Sequence, residues 1–141
     1  MNDTLLFLHV LSAFLLAASV VCLSAVAIGA AVNERTVSLG NLLWDVGGLG
    51  TLVFGVWLAL RIDGYEITDG WILGAIVLWF VATGVAVGAR RELQPATAAP
   101  APDQEAAATS PGWTARGVAL HWVRAAIVVA FLVLMIWKPG A

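Results

Sequence analysis

Cysteine and charged residues are scarce in this chain. Among 141 residues there is one cysteine, Cys22, and charged side chains make up 11% of the chain, against ~25% in a typical soluble domain. A single thiol excludes an internal disulfide and any metal site built from a cysteine cluster. With 61% hydrophobic residues and a mean hydropathy of +0.93, the chain has more apolar surface than a core of its size can bury. Lipid is therefore the expected solvent.

Sequence motifs of catalysis and of nucleic-acid binding are missing as well. The net charge of −2 and the pI near 5.5 supply no basic surface, so nucleic acid is not an expected partner. There is no His-Glu-x-x-His motif, no phosphate-binding glycine loop and no serine, histidine and aspartate set at matching depth. The glycines of "DVGGLG" lie inside an apolar run and are interpreted as packing residues. The sequence therefore contains no motif that indicates an enzyme.

Four long apolar runs are present instead, at about 5–31, 42–60, 71–89 and 117–137. A helix of ~20 residues crosses a hydrocarbon core of ~30 Å, so each run predicts a membrane span. The leader "MNDT" lacks the positive charge of a signal peptide, so the first run is expected to stay as a helix. The chain is predicted to be all-α, a single four-span membrane domain over 1–141.

The segments between the runs predict the orientation. The segment 92–110 is rich in alanine, proline and polar residues, which favours a flexible, disordered link. Ser110 and Pro111 at its end predict the start of the fourth helix. Basic residues mark the cytoplasmic side, and they divide four against two: Arg35, Arg90, Arg91 and Arg116 against Arg61 and Lys138. We therefore expect both termini outside, a cytoplasmic link and a multi-pass protein of the plasma membrane.

Charged residues inside the runs are rare and are expected to face the bundle. Asp45 and Arg124 have opposite signs and similar depth, which predicts an ion pair between the second and fourth helices. His121 precedes Arg124 by three residues, so the two share a helix face. The sequence thus predicts an intramembrane polar cluster of Asp45, His121 and Arg124. It serves either as a structural clamp or as a functional site, such as a proton relay or a ligand pocket.

Histidine is a common metal ligand, so the two histidines are candidates to bind haem or copper. His9 lies near the outer end of the first run and His121 near the inner end of the fourth. At 1.5 Å per residue, ~20 Å separates the two along the membrane normal, so one iron cannot bind both from one chain. Each histidine is a candidate cofactor ligand, and the alternative for His9 is a polar residue bonded to a neighbouring backbone or to Ser12.

Small residues repeat every four positions on the first three runs. They predict close helix packing within the bundle, and a homodimer or larger membrane complex is the alternative. These residues are Ala13, Ala17, Ala25, Gly29, Gly47, Thr51, Gly55, Gly84 and Gly88.

Three stretches, "LLFLHVLSAFLLAAS", "GWILGAIVLWFVATGVAVGARREL" and "LVLMIWKPG", give a family resemblance over nearly the whole chain except the link. The chain resembles the predicted bacterial integral membrane proteins grouped as domain of unknown function 2269. The opening Leu8, His9, Leu11 and Ala13 is also similar to the first helix of the copper resistance D family and the protoporphyrinogen oxidase J type. The resemblance implies a four-helix membrane architecture and marks His9 as a candidate ligand.

Three functions remain open at this point. The first is a non-enzymatic bacterial membrane protein acting in the bilayer as an accessory subunit. The second is a haem- or copper-handling membrane protein that uses His9, His121 or both. The third is a small transporter or proton-relay component built on Asp45, His121 and Arg124.

Overall fold

The computed structural model describes residues 2–61, 66, 68–94 and 112–137. Within them the chain forms four long helices and one short pair of strands: α1 (Asn2–Ala27), α2 (Glu34–Ala59), α3 (Gly70–Arg91), β1 (Leu93–Gln94), β2 (Gly112–Trp113) and α4 (Ala115–Trp137). All four helices are long and apolar enough to cross a membrane. The prediction of an all-α chain with four apolar helices long enough to span a membrane is confirmed.

The connection between α1 and α2 is shorter than the apolar runs predict, and it begins earlier in the sequence, after Ala27. Gly29 has φ +76°, and the amides of Gly29 and Ala30 donate to the carbonyls of Val26 and Ala25. This is a Schellman motif, which ends a helix because glycine tolerates the left-handed region. Asn33 then caps α2 by accepting from the Thr36 amide at 2.8 Å. The polar stretch "ERTVSLGN" is therefore the first two turns of α2 and not a link.

The ends of the link between α3 and α4 are held together. Leu93 pairs with Trp113 and Gln94 with Gly112 in an antiparallel ladder, so the predicted disordered segment 92–110 begins with paired residues. Thr114 caps α4 by accepting from the Gly117 amide at 3.1 Å. The fourth helix begins at Ala115, after the strand Gly112–Trp113, so the helix start predicted at Ser110 and Pro111 is wrong. Those two residues and the rest of the link lie outside the described residues.

The helices pack as two antiparallel hairpins, α1 with α2 and α3 with α4, which touch each other less extensively. The backbones of α1 and α2 approach closely at Gly47, where a Cβ would lie 2.6 Å from the Leu16 amide nitrogen. Gly84 is different, because a Cβ there would meet nothing within 4 Å. The predicted packing role therefore holds for Gly47 and not for Gly84. We call the end that carries Arg35, Arg90, Arg91 and Arg116 the arginine end.

Candidate functional site

A cleft separates the two hairpins. It consists of a cavity of about 600 Å³ and a second of about 240 Å³ that share part of their lining. Pockets of ~300–1,000 Å³ are typical of small-molecule sites. Apolar side chains of all four helices line the cleft, and few polar groups reach it. The shared lining includes His9, Thr51, Trp79, Phe131 and Met135.

His9 is the polar group at the middle of the cleft. Its Nδ1 lies 3.1 Å from the carbonyl oxygen of Thr51 on α2. Because a carbonyl only accepts, Nδ1 carries the proton and donates, and Nε2 of the neutral ring is left as an acceptor. The ring lies against Gly55, where a Cβ would approach its Cε1 to 2.9 Å. Nε2 has no hydrogen-bond partner within the described ranges, so His9 is oriented by α2 and offers a lone pair.

His121 is enclosed near the arginine end. It is completely buried, and its Nδ1 accepts from Arg124 Nη2 at 2.8 Å. Nε2 lies 2.9 Å from Ser24 Oγ of α1. Since the Ser24 hydroxyl donates to the Val20 carbonyl at 2.8 Å, the imidazole donates from Nε2. The ring also stacks on Trp113 with 5.0 Å between centroids. Both nitrogens of His121 are thus engaged.

Arg124 lies beside His121, as the three-residue spacing predicted. It is completely buried, and its guanidinium carbon is 4.6 Å from the centroid of the Trp44 ring. That ring also lines the smaller cavity. The guanidinium of Arg124 is therefore held between His121, which accepts its hydrogen bond, and the ring of Trp44, whose aromatic face attracts its positive charge.

The predicted ion pair between Asp45 and Arg124 is wrong. Asp45 Oδ1 accepts from Arg90 Nη2 at 2.6 Å, and Arg90 also donates to the side chain and the carbonyl of Asn41. The physical reason is the rotation of α2 about its axis. Asn41 and Asp45, four residues apart, share a helix face that Arg90 of α3 reaches.

The two histidines differ in their fitness as cofactor ligands. His121 does not fit haem or copper, because neither nitrogen has a lone pair to give and a guanidinium lies 2.8 Å away. His9 fits, because a carbonyl fixes its tautomer and Nε2 is open, an arrangement common in ligating histidines. Over the described part of the chain, no group of three or more His, Cys, Asp or Glu side chains is placed to hold a metal ion.

Several residues of the site are not predicted by the sequence. Ser24, Trp113 and the Thr51 carbonyl each fix one histidine, and each lies on a different segment from the ring it contacts. Trp79, in the middle of α3, is a further such residue. Its Nε1 donates to the Gly48 carbonyl at 2.8 Å, which joins α3 to α2 across the cleft. Its mid-span position was the available signal, since a tryptophan in lipid needs a partner for its N–H.

A comparison of this chain with protein-family models, curated proteins and solved structures finds no match. The site has therefore to be interpreted from its own geometry.

Proposed function

We propose that this chain is a non-enzymatic membrane protein that holds an apolar small molecule in the cleft, with His9 as its polar contact. The observation that carries the proposal is the state of His9. Its Nδ1 is tied to the Thr51 carbonyl, and its ring lines both cavities. Nε2 has no hydrogen-bond partner among the described residues, so a ligand that donates to it completes the hydrogen bonding of the ring.

The tautomer of His9 selects the chemistry of the ligand. Nε2 only accepts while Nδ1 donates to Thr51, so the ligand presents a hydroxyl, an N–H or a Lewis-acidic metal centre. A quinone carbonyl is an acceptor and does not suit this nitrogen, whereas a quinol or another lipophilic alcohol does. The aromatic and thioether side chains of Trp79, Phe131 and Met135 suit the apolar body of such a molecule.

The test is to purify the protein from its native membrane in lipid nanodiscs, extract it with organic solvent and identify the bound compound by mass spectrometry. His9→Phe keeps an aromatic ring in the cleft and removes the acceptor. Thr51→Val is the matched control, because it retains the carbonyl that orients His9. We expect one lipophilic compound with a donor group to accompany the wild type and Thr51→Val, and to be lost from His9→Phe. Equal recovery from all three proteins would contradict the proposal.

Haem is the second candidate for the cleft. Haem iron takes axial ligands from histidine and from methionine, and His9 and Met135 line the same two cavities. When bound, haem supplies one-electron redox chemistry, and this chain supplies an oriented imidazole in dry surroundings. For copper, the described lining offers the imidazole of His9, the thioether of Met135 and, at the smaller cavity, the carboxylate of Asp45. His121 carries neither ligand proposal, because both of its nitrogens are already hydrogen-bonded.

An absorbance spectrum with metal analysis separates the two candidates. In the haem case the purified wild type shows a Soret band that disappears in His9→Phe, and the band moves in Met135→Leu if the thioether is the second ligand. A featureless spectrum beside a co-purified lipophilic alcohol selects the first candidate. A role as accessory subunit is compatible with either, since the cleft occupies one part of a chain whose other faces meet lipid or a partner.

The proposed location is the bacterial plasma membrane, with both termini outside and a flexible cytoplasmic link between Gln94 and Gly112. Two observations support it. Four arginines share the arginine end, and positive residues favour the cytoplasm. The link is rich in alanine and proline, which suits a solvated segment. A cysteine at Ala106 in a Cys22→Ala background should resist impermeant maleimide in intact cells and react after lysis. Labelling of intact cells would reverse the orientation.

A further inference from the structure

Arg124 is a buried charge whose hydrogen bonding is incomplete. Its side chain has 0% exposure, and one nitrogen, Nη2, donates to His121. The other two nitrogens, Nε and Nη1, are buried and have no hydrogen-bond partner within the described ranges. A guanidinium carries five N–H donors and no acceptor, so most of the hydrogen-bonding capacity of this side chain is unused.

No acidic side chain of the described residues neutralises this charge. The ion pairs there are Asp45 with Arg90 at 2.6 Å and Glu92 with Arg116 at 3.7 Å. Arg90, whose guanidinium pairs with Asp45 of α2, adds a second positive charge at the same end of the bundle. The group formed by Arg90, Arg124 and Asp45 therefore has an excess of one positive charge. Burying an uncompensated charge costs several kcal/mol, which favours a bound anion.

The surroundings of Arg124 hold it rigidly rather than neutralise it. His121 is itself fixed by its hydrogen bond with Ser24 and by the stack on Trp113. Its ring is neutral, so it does not compensate the positive charge of Arg124. The Trp44 ring covers one face of the guanidinium. The same ring forms part of the wall of the smaller cavity. Trp44 thus contacts both that cavity and the guanidinium.

We propose that Arg124 is the centre of an oxyanion site near the arginine end of the bundle. A phosphate group occupies this site by accepting hydrogen bonds from the unused guanidinium donors. Arginine suits phosphate, since its planar donors match the oxygens and its charge persists in dry surroundings. The phosphate comes either from an anionic lipid headgroup of the arginine-end leaflet or from free phosphate. The site is independent of the ligand proposed for His9.

The experiment observes the guanidinium in the intact protein. Wild-type protein labelled with ¹⁵N-arginine is placed in phosphatidylcholine nanodiscs and titrated with inorganic phosphate, with sodium chloride at matched ionic strength as reference. A second sample is prepared in phosphatidylglycerol nanodiscs. The Nε–H signal of Arg124 is assigned by its loss in Arg124→Lys. Arg91→Lys, which changes an exposed arginine of the same end, is the matched control.

We expect the Arg124 signal to shift saturably with phosphate, with phosphatidylglycerol, or with both, and the signals of the exposed arginines to follow ionic strength alone. A response to phosphatidylglycerol alone identifies the headgroup, and a response to phosphate alone identifies the free ion. In thermal unfolding, the stabilisation by the active anion should persist in Arg91→Lys. In Arg124→Lys its apparent affinity should fall by about tenfold or more, the effect of losing one charge-assisted hydrogen bond.

Two results overturn the proposal. One is an Arg124 signal that responds to phosphate and phosphatidylglycerol no more than to chloride at equal ionic strength. The other is an anion affinity that is the same in Arg124→Lys and in the wild type. If Arg124→Lys does not fold, the Nε–H signal of Arg124 is assigned by through-bond correlations in uniformly labelled wild-type protein, so the first readout still decides the question.

Discussion

The two histidines of this chain occupy matching positions on apolar helices and have opposite surroundings. His121 is completely buried and both of its nitrogens are bonded. His9 is half-buried, and one nitrogen is bonded while the other is open to the cleft. The hydrogen bonds also assign opposite tautomers, Nε2–H in His121 and Nδ1–H in His9. A histidine in a membrane helix is therefore available to bind a ligand when its hydrogen-bond partners leave one ring nitrogen free.

The largest expected effect separates the two histidines by stability. His121→Ala removes the acceptor of the buried Arg124, the partner of Ser24 and the stack on Trp113, so we expect a loss of roughly 3 kcal/mol. His9→Ala removes one hydrogen bond and should cost about 1 kcal/mol. Reversible unfolding in detergent measures both values. Equal losses would remove the distinction between an enclosed and an open histidine.

A smaller effect sharpens the contrast between the tight α1–α2 contact and the looser regions. Gly47→Ala places a Cβ 2.6 Å from the Leu16 amide nitrogen, so the helices must move apart. We expect a loss of about 1–3 kcal/mol. Gly84→Ala, whose Cβ meets nothing within 4 Å, is the control and should change stability by less than about 0.5 kcal/mol. If the two substitutions are tolerated alike, Gly47 does not mark a close helix contact.

The smallest effect concerns the ion pairs. Asp45 pairs with Arg90, and their side chains are 57% and 32% exposed, so solvent or headgroups weaken the attraction. A double-mutant cycle with Asp45→Asn and Arg90→Gln should give a coupling of about 0.5–1 kcal/mol. The cycle that replaces Arg90→Gln by Arg124→Gln should show additive losses. A larger coupling between Asp45 and Arg124 than between Asp45 and Arg90 would restore the pairing expected from the sequence.

The sequence was informative about the helices and less so about their partners. Four apolar runs predicted four helices because run length and hydropathy are local properties. The shared face of His121 and Arg124 was also local, since the i, i+3 spacing fixes it. The ends of α1 and α2 were misplaced, although Gly29 and Asn33 carry the capping signals.

Partners across helices could not be obtained in this way. Depth matching paired Asp45 with Arg124 because it used only distance along each helix. It ignored rotation about the helix axis and the reach of Arg90 from the end of α3. The bond from His9 to the Thr51 carbonyl was equally inaccessible, since any backbone carbonyl is a candidate until two helices are docked. The cleft itself arises from the arrangement of two hairpins, which no single segment encodes.

The most direct test of the open state of His9 is the ¹⁵N spectrum of histidine-labelled protein, because the chain has two histidines and hence four ring nitrogens. We expect opposite tautomers, in which the unprotonated ring nitrogen is Nε2 in His9 and Nδ1 in His121. Extraction of the bound compound should shift the His9 Nε2 signal and leave both His121 signals in place. A protonated Nε2 in His9, or a His9 signal that does not respond to extraction, would contradict the account.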